Sequence, residues 1–348
     1  MIFTSDNAAG VAPEMLEAVG RAASGTAMPY GQDALTAAVE ARVREVFEAP
    51  EARVFLVATG TAANALALAC LCPPWGAVYA HEEAHVEADE CGAPELMTGG
   101  AKLTLIGGGN AKIDAGALAR RVRQAARPGV HHVQNAALSV SQATELGAVY
   151  TADELAHLAE VARDHGMGVQ MDGTRFANAV VRLAATPASL SWRAGVDALC
   201  LGATKNGAMA AEAVILFDPA KAWEFELRRK RGGHLFSKMR FVAAQMLAYL
   251  EDDLWLRLAA HANAMAGRLA AGIAAVEGAR VMNRVEANMV FAEIGADQHR
   301  RLQAAGARYY PWPRGQDGAG DAPLGVRLVC SFATTGEEVD RFLDTLRG

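Results

Sequence analysis

The chain has 348 residues, 52% of them hydrophobic and 21% charged, which is the composition of an ordinary globular protein. Its 33 lysines and arginines stand against 39 aspartates and glutamates, and the formal net charge of -6 argues against a nucleic-acid partner. The start of the chain lacks a signal-peptide pattern and no apolar run could span a bilayer, so we expect a cytoplasmic protein without a membrane partner. The five cysteines are odd in number and lack C-x-x-C spacing, which indicates mostly buried thiols.

Short apolar runs alternate with helical patterns as far as residue 217. Helical spacing is present at 13–23 and 34–47, and the apolar run 54–57 is followed by a tight turn and a helix-forming stretch at 62–70. Further strands are predicted at 77–80, 103–106, 136–140, 168–171, 198–201 and 213–217, with helices at 117–126 and 151–165. The helix at 151–165 opens with a T-x-x-E capping box. Strands that alternate with helices predict a mainly parallel sheet covered on both faces.

Helical patterns dominate past residue 217, and strands return near the end of the chain. Helices are predicted at 220–231, 238–250, 254–276, 297–305 and 336–346, and strands at 288–293 and 326–332. The loosest loop is 315–320. The sequence therefore predicts an α/β protein with a large domain at 1–250, including an N-terminal arm, and a smaller α+β domain at 251–348.

A single lysine follows the apolar run at 198–201, within the sequence G-A-T-K-N-G. Lys205 is thus predicted on a loop at the mouth of a buried strand, among small neutral residues. Partial desolvation at such a position makes an amine available as a nucleophile near neutral pH, which is what a Schiff-base lysine requires. The alternative is a solvated lysine in a surface turn, because lysines are mostly exposed.

The sequence H-E-E-A-H at residues 81–85 matches the H-E-x-x-H zinc motif. On a helix, this spacing would place two imidazoles on one face, but the pattern supplies no third ligand. His81 also falls at the end of a predicted strand rather than inside a helix. We therefore expect no metal site here. From sequence alone, His85 could simply be a core or capping histidine.

Two other stretches stand where predicted strands end. Gly60 and Thr61 begin a helix, where free N–H groups and a hydroxyl could bind a phosphate, although small residues also suit a plain turn. Asp172 follows the run at 168–171, and an aspartate there is often only a helix cap. Because ligands of open α/β sheets bind outside the carboxyl ends of strands, these groups are expected to converge with Lys205. A carboxylate, a lysine and a phosphate cradle are what pyridoxal phosphate needs.

Four stretches of the chain, in the same order, resemble the low-specificity L-threonine aldolases. They are H-V-E-A-D-E-C-G-A-P-E from residue 85, Q-A-T-E-L-G-A-V-Y from residue 142, M-D-G-T-R-F from residue 171 and T-K-N-G from residue 204. The resemblance extends from S-D-N at 5–7 to R-L-V-C-S at 327–331. It implies the architecture of the fold-type-I, aspartate-aminotransferase-like enzymes, with pyridoxal phosphate as the cofactor.

The resemblance also implies which residues hold that cofactor. Lys205 would form the Schiff base with it, and His85 would stack on its pyridine ring, whose nitrogen would pair with Asp172. The complete implied set is Gly60 and Thr61 at the phosphate, His85, Asp172, Arg175 at the phenolic oxygen, and Lys205.

The implied substrate groups come from distant parts of the chain. Arg327, together with Ser5, matches the position that holds the substrate carboxylate, although an arginine there could also be an ordinary surface residue. Tyr30 is similar to a tyrosine offered across a dimer interface. His131 lies near the position of a histidine beside the substrate hydroxyl, and the neighbouring His132 competes for that position.

The implied reaction is retro-aldol cleavage of L-threonine, L-allo-threonine and related β-hydroxy-α-amino acids to glycine and an aldehyde, by a homo-oligomer built as a dimer of dimers. The base for the hydroxyl proton is left open between His85, His131 and a water molecule. Thr174 in D-G-T-R and Gln32 before Asp33 depart from the family pattern and leave the side-chain preference open.

Several alternative functions remain at this point. On the same fold, the chain could be a phenylserine-preferring aldolase, a transaldolase or a β-eliminating lyase. From other classes, it could be a pyridoxal phosphate-binding protein without turnover, or an oligomeric scaffold without a cofactor.

Overall fold

The computed structural model describes residues 1–126, 129–313 and 320–348, so that most of the loop predicted at 315–320 lies outside the described residues. Its larger sheet has seven strands in the order β1-β7-β6-β5-β4-β2-β3. The strands are β1 (Arg53–Val57), β2 (Gly76–His81), β3 (Lys102–Ile106), β4 (Gln134–Ser141), β5 (Gly168–Gly173), β6 (Ala198–Gly202) and β7 (Glu212–Leu216). The five from β2 to β6 are mutually parallel, and β7 runs antiparallel to both β6 and β1. The sheet is therefore mostly parallel, as predicted.

Helices precede and connect these strands and cover both faces of the sheet. They are α1 (Pro13–Ala22), α2 (Ala34–Val46), α3 (Gly60–Leu71), α4 (His85–Ala88), α5 (Ala93–Thr98), α6 (Ala115–Ala125), α7 (Ala152–Arg163) and α8 (Phe176–Leu183). Because strand side chains alternate between faces, Leu199 and Leu201 of β6 pack in one core, whereas Ala198 and Cys200 pack with α3 on the opposite face. The predicted capping box at Thr151 is present at the start of α7.

A second, antiparallel sheet follows in the C-terminal part of the chain, in the order β10-β11-β9-β8. The elements of this part are α9 (Ala222–Arg231), α10 (Arg240–Leu250), α11 (Leu254–Ala274), β8 (Arg280–Val281), β9 (Met289–Ile294), α12 (Ala296–Ala304), β10 (Tyr310–Pro311), β11 (Leu324–Val329) and α13 (Gly336–Arg347). Its own core includes Ile273, Val326 and Phe342. Within the described ranges, no helix combines the length and the apolar character that crossing a membrane requires.

Helix α11 contributes side chains to both cores. Trp255, in its first turn, packs in the core of the large sheet, and Ile273, near its end, packs in the core of the small sheet. Phe3 of the N-terminal arm also packs in the small-sheet core. These contacts cross the predicted domain boundary between residues 250 and 251. The boundary therefore stays a prediction.

Candidate active site

The carboxyl ends of three parallel strands meet at one edge of the large sheet. The register places Ser141 of β4 beside Asp172 of β5, and Asp172 beside Cys200 of β6. Gly202, which ends β6, lies opposite Glu212, which begins β7. Because parallel strands present their carboxyl ends at the same edge, the groups that follow β4, β5 and β6 are brought together there.

The edge leaves no room for a side chain at Gly202. A Cβ atom at Gly202 would lie 2.7 Å from the Cα of Thr174 and 3.0 Å from Oε2 of Glu212. The carboxyl group of Glu212 therefore packs against the end of β6, and the residue is only 5% exposed. Burial raises the pKa of Glu212 to about 7, even though contact with Thr204 and attraction to Lys205 act in the opposite direction.

Lys205 lies in a short 3-10 helix, Thr204–Asn206, directly after β6. The neighbouring Asn206 is buried, and its side-chain amide donates hydrogen bonds to the hydroxyl of Tyr249 at 3.0 Å and to the carbonyl of Trp255 at 2.8 Å. These contacts anchor the residue that directly follows the lysine. Lys205 itself is half-buried. This position favours the interpretation of Lys205 as a strand-end lysine over that of a solvated lysine in a surface turn.

Asp172 is held in place by buried donors. Its Oδ1 accepts the backbone N–H of Thr174 at 3.0 Å, and its Oδ2 accepts the amide of Asn64 at 2.9 Å. Burial alone would raise its pKa, but His85 and the hydrogen bonds from Thr174 and Asn64 outweigh burial and lower the pKa of Asp172 below its ordinary value. Asp172 therefore stays ionised, and it does not cap α8, whose N-cap residue is Arg175.

Gly60 and Thr61 form the first turn of α3 at the same edge. Thr59 caps this helix by accepting the N–H of Ala62 at 3.2 Å. The N–H groups of the two preceding residues have no intrahelical acceptor, which is general for the start of a helix. A Cβ atom at Gly60 would lie 3.7 Å from the hydroxyl oxygen of Thr174. The helix start and this hydroxyl thus border one cradle of a kind that binds phosphate.

His85 begins α4 and is held by two carboxylates. Its ring Nδ1 donates to Oε1 of Glu90 at 2.8 Å, and its backbone N–H donates to Oε1 of Glu145 at 2.9 Å. The hydrogen bond to Glu90 and the charge of Asp172 raise the pKa of His85, against the opposing effects of burial and Lys205. The carboxyl of Glu145 is itself buried, and burial raises its pKa to about 7.

The H-E-x-x-H pattern does not form a zinc-binding helix face. His81 ends β2, as expected, and its two ring nitrogens face the carbonyl of Gly108 at 3.1 Å and the N–H of Glu83 at 3.0 Å. His85 instead faces Glu90 and Asp172. One ring nitrogen of His85 and one carboxylate oxygen from each acidic residue all lie within 4.8 Å of one another. The two histidines of the motif therefore contact different residues.

Arg175 forms a two-pronged ion pair with Asp6 of the N-terminal arm. Its Nε and one terminal nitrogen lie 2.8 and 2.9 Å from the two carboxylate oxygens. Asn288 donates to the same carboxylate at 3.1 Å. Burial would raise the pKa of Asp6, but Arg175, Lys205 and Asn288 hold it below its ordinary value. Arg175, Asp6 and Lys205 line one narrow cleft.

Ser5 and Arg327 are brought close together where the arm crosses the small sheet. Arg327, in β11, is half-buried, and its guanidinium donates to the carbonyl of Thr4 at 3.2 Å. The hydroxyl of Ser5 lies 3.4 Å from Oδ1 of Asp6. The two predicted carboxylate-binding residues therefore stand next to the cleft that contains Lys205.

Within one chain, the structure does not bring His131 to this edge, and its place beside the substrate hydroxyl stays a prediction. His131 is exposed and precedes β4, so that it lies at the amino end of a strand whose carboxyl end reaches the site. The eight residues of β4 separate the two edges by about 26 Å at 3.3 Å per residue. His132 is exposed in the same turn.

Tyr30 is also outside the cleft that contains Lys205. It is 46% exposed, its backbone N–H donates to the carbonyl of Ser237 at 2.9 Å, and the ammonium of Lys230 lies 5.0 Å from its ring. Its predicted position at an interface between copies stays a prediction.

Comparison with known proteins identifies the family. The chain matches the beta-eliminating lyase family over residues 3–296. Low specificity L-threonine aldolases of Pseudomonas aeruginosa and of a Pseudomonas species are 41% and 39% identical to it, over 99% of this chain and 96% of theirs. The chain belongs to the low-specificity L-threonine aldolase family. The predicted family and the predicted class of enzyme are therefore confirmed.

Solved structures agree with this assignment. A threonine aldolase of Leishmania major is 28% identical and superposes with a TM-score of 0.91, covering 99% of this chain and 98% of that chain. The serine palmitoyltransferase of Sphingomonas wittichii is 14% identical, with a TM-score of 0.70 over 100% of this chain and 86% of its own, and shows the fold alone. The predicted fold-type-I architecture is confirmed.

Sequence reasoning missed several buried polar residues of this aldolase-family site. They are Asp6, Asn64, Glu90, Glu145, Glu212 and Asn288. Asp6, Glu90 and Glu145 lie inside the stretches that carried the family resemblance, so that the signal was present there. Glu212 is a lone charge in the apolar run A-E-A-V-I-L, and a glutamate is almost never fully buried unless it is paired. Asn64 carries no such signal, because its partners are 26 and 108 residues away in the chain.

Proposed function

We propose that this chain is a pyridoxal phosphate-dependent carbon–carbon lyase that cleaves L-threonine, L-allo-threonine and related β-hydroxy-α-amino acids to glycine and an aldehyde. One observation carries the proposal. A half-buried lysine, an ionised buried aspartate and the start of α3 converge at one sheet edge, in a chain that is 41% identical to a low specificity L-threonine aldolase over 99% of its length.

The residues at this edge fit the cofactor. An ionised Asp172 suits a protonated ring nitrogen, and the start of α3 beside the Thr174 hydroxyl suits a phosphate. Gly60 and Thr61 would hold the phosphate, Lys205 would form the covalent link, and His85 would cover the ring. Arg175 would approach the phenolic oxygen from its pair with Asp6. When bound, the cofactor supplies an electron-accepting ring for the pair released as the Cα–Cβ bond breaks.

The chain's own residues bind and orient the substrate. The guanidinium of Arg327, with the hydroxyl of Ser5, would take the substrate carboxylate, since a planar guanidinium matches a carboxylate with two hydrogen bonds. Fixing that carboxylate decides which bond at Cα stands perpendicular to the ring. The contact of Arg327 with the arm at Thr4 supports this role, because it keeps the two groups together.

His85 is the proposed acceptor of the hydroxyl proton. Of the two predicted histidines, His85 is at the same edge as Lys205 and Asp172, whereas His131 precedes β4 at the opposite edge of the same chain. Nδ1 of His85 is bonded to Glu90, so that Nε2 is the ring atom available to the substrate hydroxyl, directly or through a water molecule.

The oligomeric state and the location in the cell belong to the same proposal. A dimer of dimers, with four chains of 36.6 kDa each, would cover the exposed apolar side chains of Met28, Tyr30 and Met209. Light scattering on the purified enzyme measures this mass directly, and a monomer in solution would contradict it.

A reducing compartment such as the cytoplasm is supported by the five cysteines, all of which are free.

Product analysis tests the function. The purified enzyme, supplied with pyridoxal phosphate, is incubated with threonine, allo-threonine and phenylserine. Glycine and the matching aldehyde are expected, whereas ammonia and a keto acid would show β-elimination instead. Lys205→Ala should abolish both turnover and the visible absorbance of the holoenzyme, and Lys102→Ala, at an exposed position of β3, should change neither. If both variants keep the absorbance and the activity of the wild type, Lys205 is the wrong lysine.

A further inference from the structure

Glu90 is a buried carboxylate that the reaction described above does not use. Its side chain is 0% exposed, and its Oε1 accepts two hydrogen bonds, from Nδ1 of His85 at 2.8 Å and from the amide of Asn64 at 2.8 Å. Its Oε2 is buried and has no partner among the residues that the structure describes. A carboxylate with an unpaired buried oxygen destabilises a fold, so that stability does not explain its presence.

Asn64 connects Glu90 to the second cofactor-facing group. The same amide nitrogen that donates to Glu90 also donates to Oδ2 of Asp172 at 2.9 Å. Its carbonyl oxygen accepts the amide of Gln170 at 2.9 Å, and Gln170 in turn accepts the hydroxyl of Ser139 at 2.6 Å. This row of hydrogen bonds runs through the buried side of β4 and β5. Asn64 therefore has a fixed orientation, with its two N–H groups directed at the two carboxylates.

We propose that Glu90 is a positioning residue that acts through His85: it fixes the imidazole ring with Nδ1 turned inward and Nε2 turned toward the substrate, and Asn64 keeps it in register with Asp172. The contacts support this directly. The side chain of His85 is 35% exposed, so that it faces the open side of the site, whereas that of Glu90 lies behind it. A ring held by one buried acceptor at Nδ1 has one orientation and one tautomer in its neutral form. This inference rests on the proposed role of His85 in the reaction.

The groups around His85 make its ring a stronger base. Those that face it are Glu90, Asp172 and Lys205, and the carboxyl of Glu145 accepts its backbone N–H. The hydrogen bond to Glu90 is the largest influence and raises the pKa of His85. Removing the charge of Glu90 while keeping its size therefore changes the titration of His85, which an ordinary packing residue would not do.

The test compares Glu90→Gln with Glu87→Gln, a matched change at an exposed position of the neighbouring helix α4. Hydrogen–deuterium exchange at the C2 position of each histidine, followed by mass spectrometry across pH 5 to 9, reports the titration of His85 in the cofactor-free and cofactor-loaded protein. In Glu90→Gln the midpoint for His85 should move to lower pH, and Glu87→Gln should match the wild type. A midpoint for His85 that is the same in Glu90→Gln and the wild type would overturn the inference.

Steady-state kinetics supply a second, independent measurement. Losing one charge-assisted hydrogen bond should lower kcat about tenfold or more, with a much smaller change in KM, because the ring is misdirected while the carboxylate site at Arg327 is intact. Glu90→Asp keeps the charge and should recover part of both the titration and the rate. Equal losses in Glu90→Asp and Glu90→Gln would show a packing role and overturn the inference.

The two failures can be told apart. A wild type that cleaves no hydroxy amino acid would refute the proposed function, and the exchange measurement on cofactor-free protein would still decide whether Glu90 controls His85. A wild type that is active with an unmoved His85 midpoint in Glu90→Gln would refute only the positioning role.

Discussion

Glu212 should make the cofactor-free protein less stable as the pH rises. Its pKa in the folded chain is about 7, raised by burial from the ordinary value of 4.5. Below pH 4.5 the carboxyl is protonated in both the folded and the unfolded chain. As the pH rises toward 7, the unfolded chain ionises first, and the folded state loses stability until both forms are ionised.

The magnitude follows from the same two values. A rise from 4.5 to about 7 corresponds to about 3 kcal/mol at 1.36 kcal/mol for each pKa unit. Glu212→Gln replaces the carboxyl with a neutral group of the same shape and removes this contribution. The free energy of unfolding of the variant, relative to the wild type, should therefore increase by about 3 kcal/mol between pH 4.5 and pH 8.

Urea unfolding of cofactor-free protein at a fixed protein concentration measures this difference, because a bound cofactor or a change in subunit association would add its own contribution. Glu145 titrates in the same window and in the same direction, so that the comparison is between variant and wild type rather than between two pH values of the wild type. Glu14→Gln, at an exposed position of α1, is the control and should follow the wild type. A Glu212→Gln protein with the same pH dependence as the wild type would refute the reasoning.

Two further predictions concern the geometry of the site. Gly202→Ala would place a Cβ 2.7 Å from the Cα of Thr174 and should lower the free energy of unfolding by about 1–3 kcal/mol in urea, whereas Gly20→Ala, in α1 with nothing within 4 Å, should be neutral or stabilising by up to about 1 kcal/mol. Equal effects of the two changes would contradict the close packing at the strand end. Asp6→Ala leaves the guanidinium of Arg175, whose side chain is 12% exposed, without its partner, and should cost about 3–5 kcal/mol by the same measurement. A loss below about 1 kcal/mol would show that the pair is not held in solution.

Most strands of the large sheet were predictable, because each is a short apolar run bounded by turn residues. Helix α8 was not predicted, because it has only eight residues and its first five are all buried. The small helices α4 and α5 were missed for a related reason. They have four and six residues, too few for a periodic pattern to emerge.

Some residues of the candidate site were predictable from the sequence and others were not. Lys205 and Asp172 were predictable because they directly follow buried strands, and strand ends of a parallel sheet share an edge. The partners that hold the site were not, because Asn64 and Glu90 meet only once α3 has folded against the segment after α4. The role of His131 stays a prediction, because the resemblance gave its distance along the chain from other motifs and not the edge of the sheet at which β4 begins.

Helix α11 has a practical consequence for engineering this aldolase-family enzyme toward other aldehydes. Its first turn accepts the hydrogen bond from Asn206, beside the proposed Schiff-base lysine, and its last turns pack beneath the sheet that carries Arg327. Substitutions in the small sheet that shift the end of α11 are therefore expected to act on the lysine loop through this helix. Double variants that combine one change in each region measure this coupling, because changes that act independently combine additively.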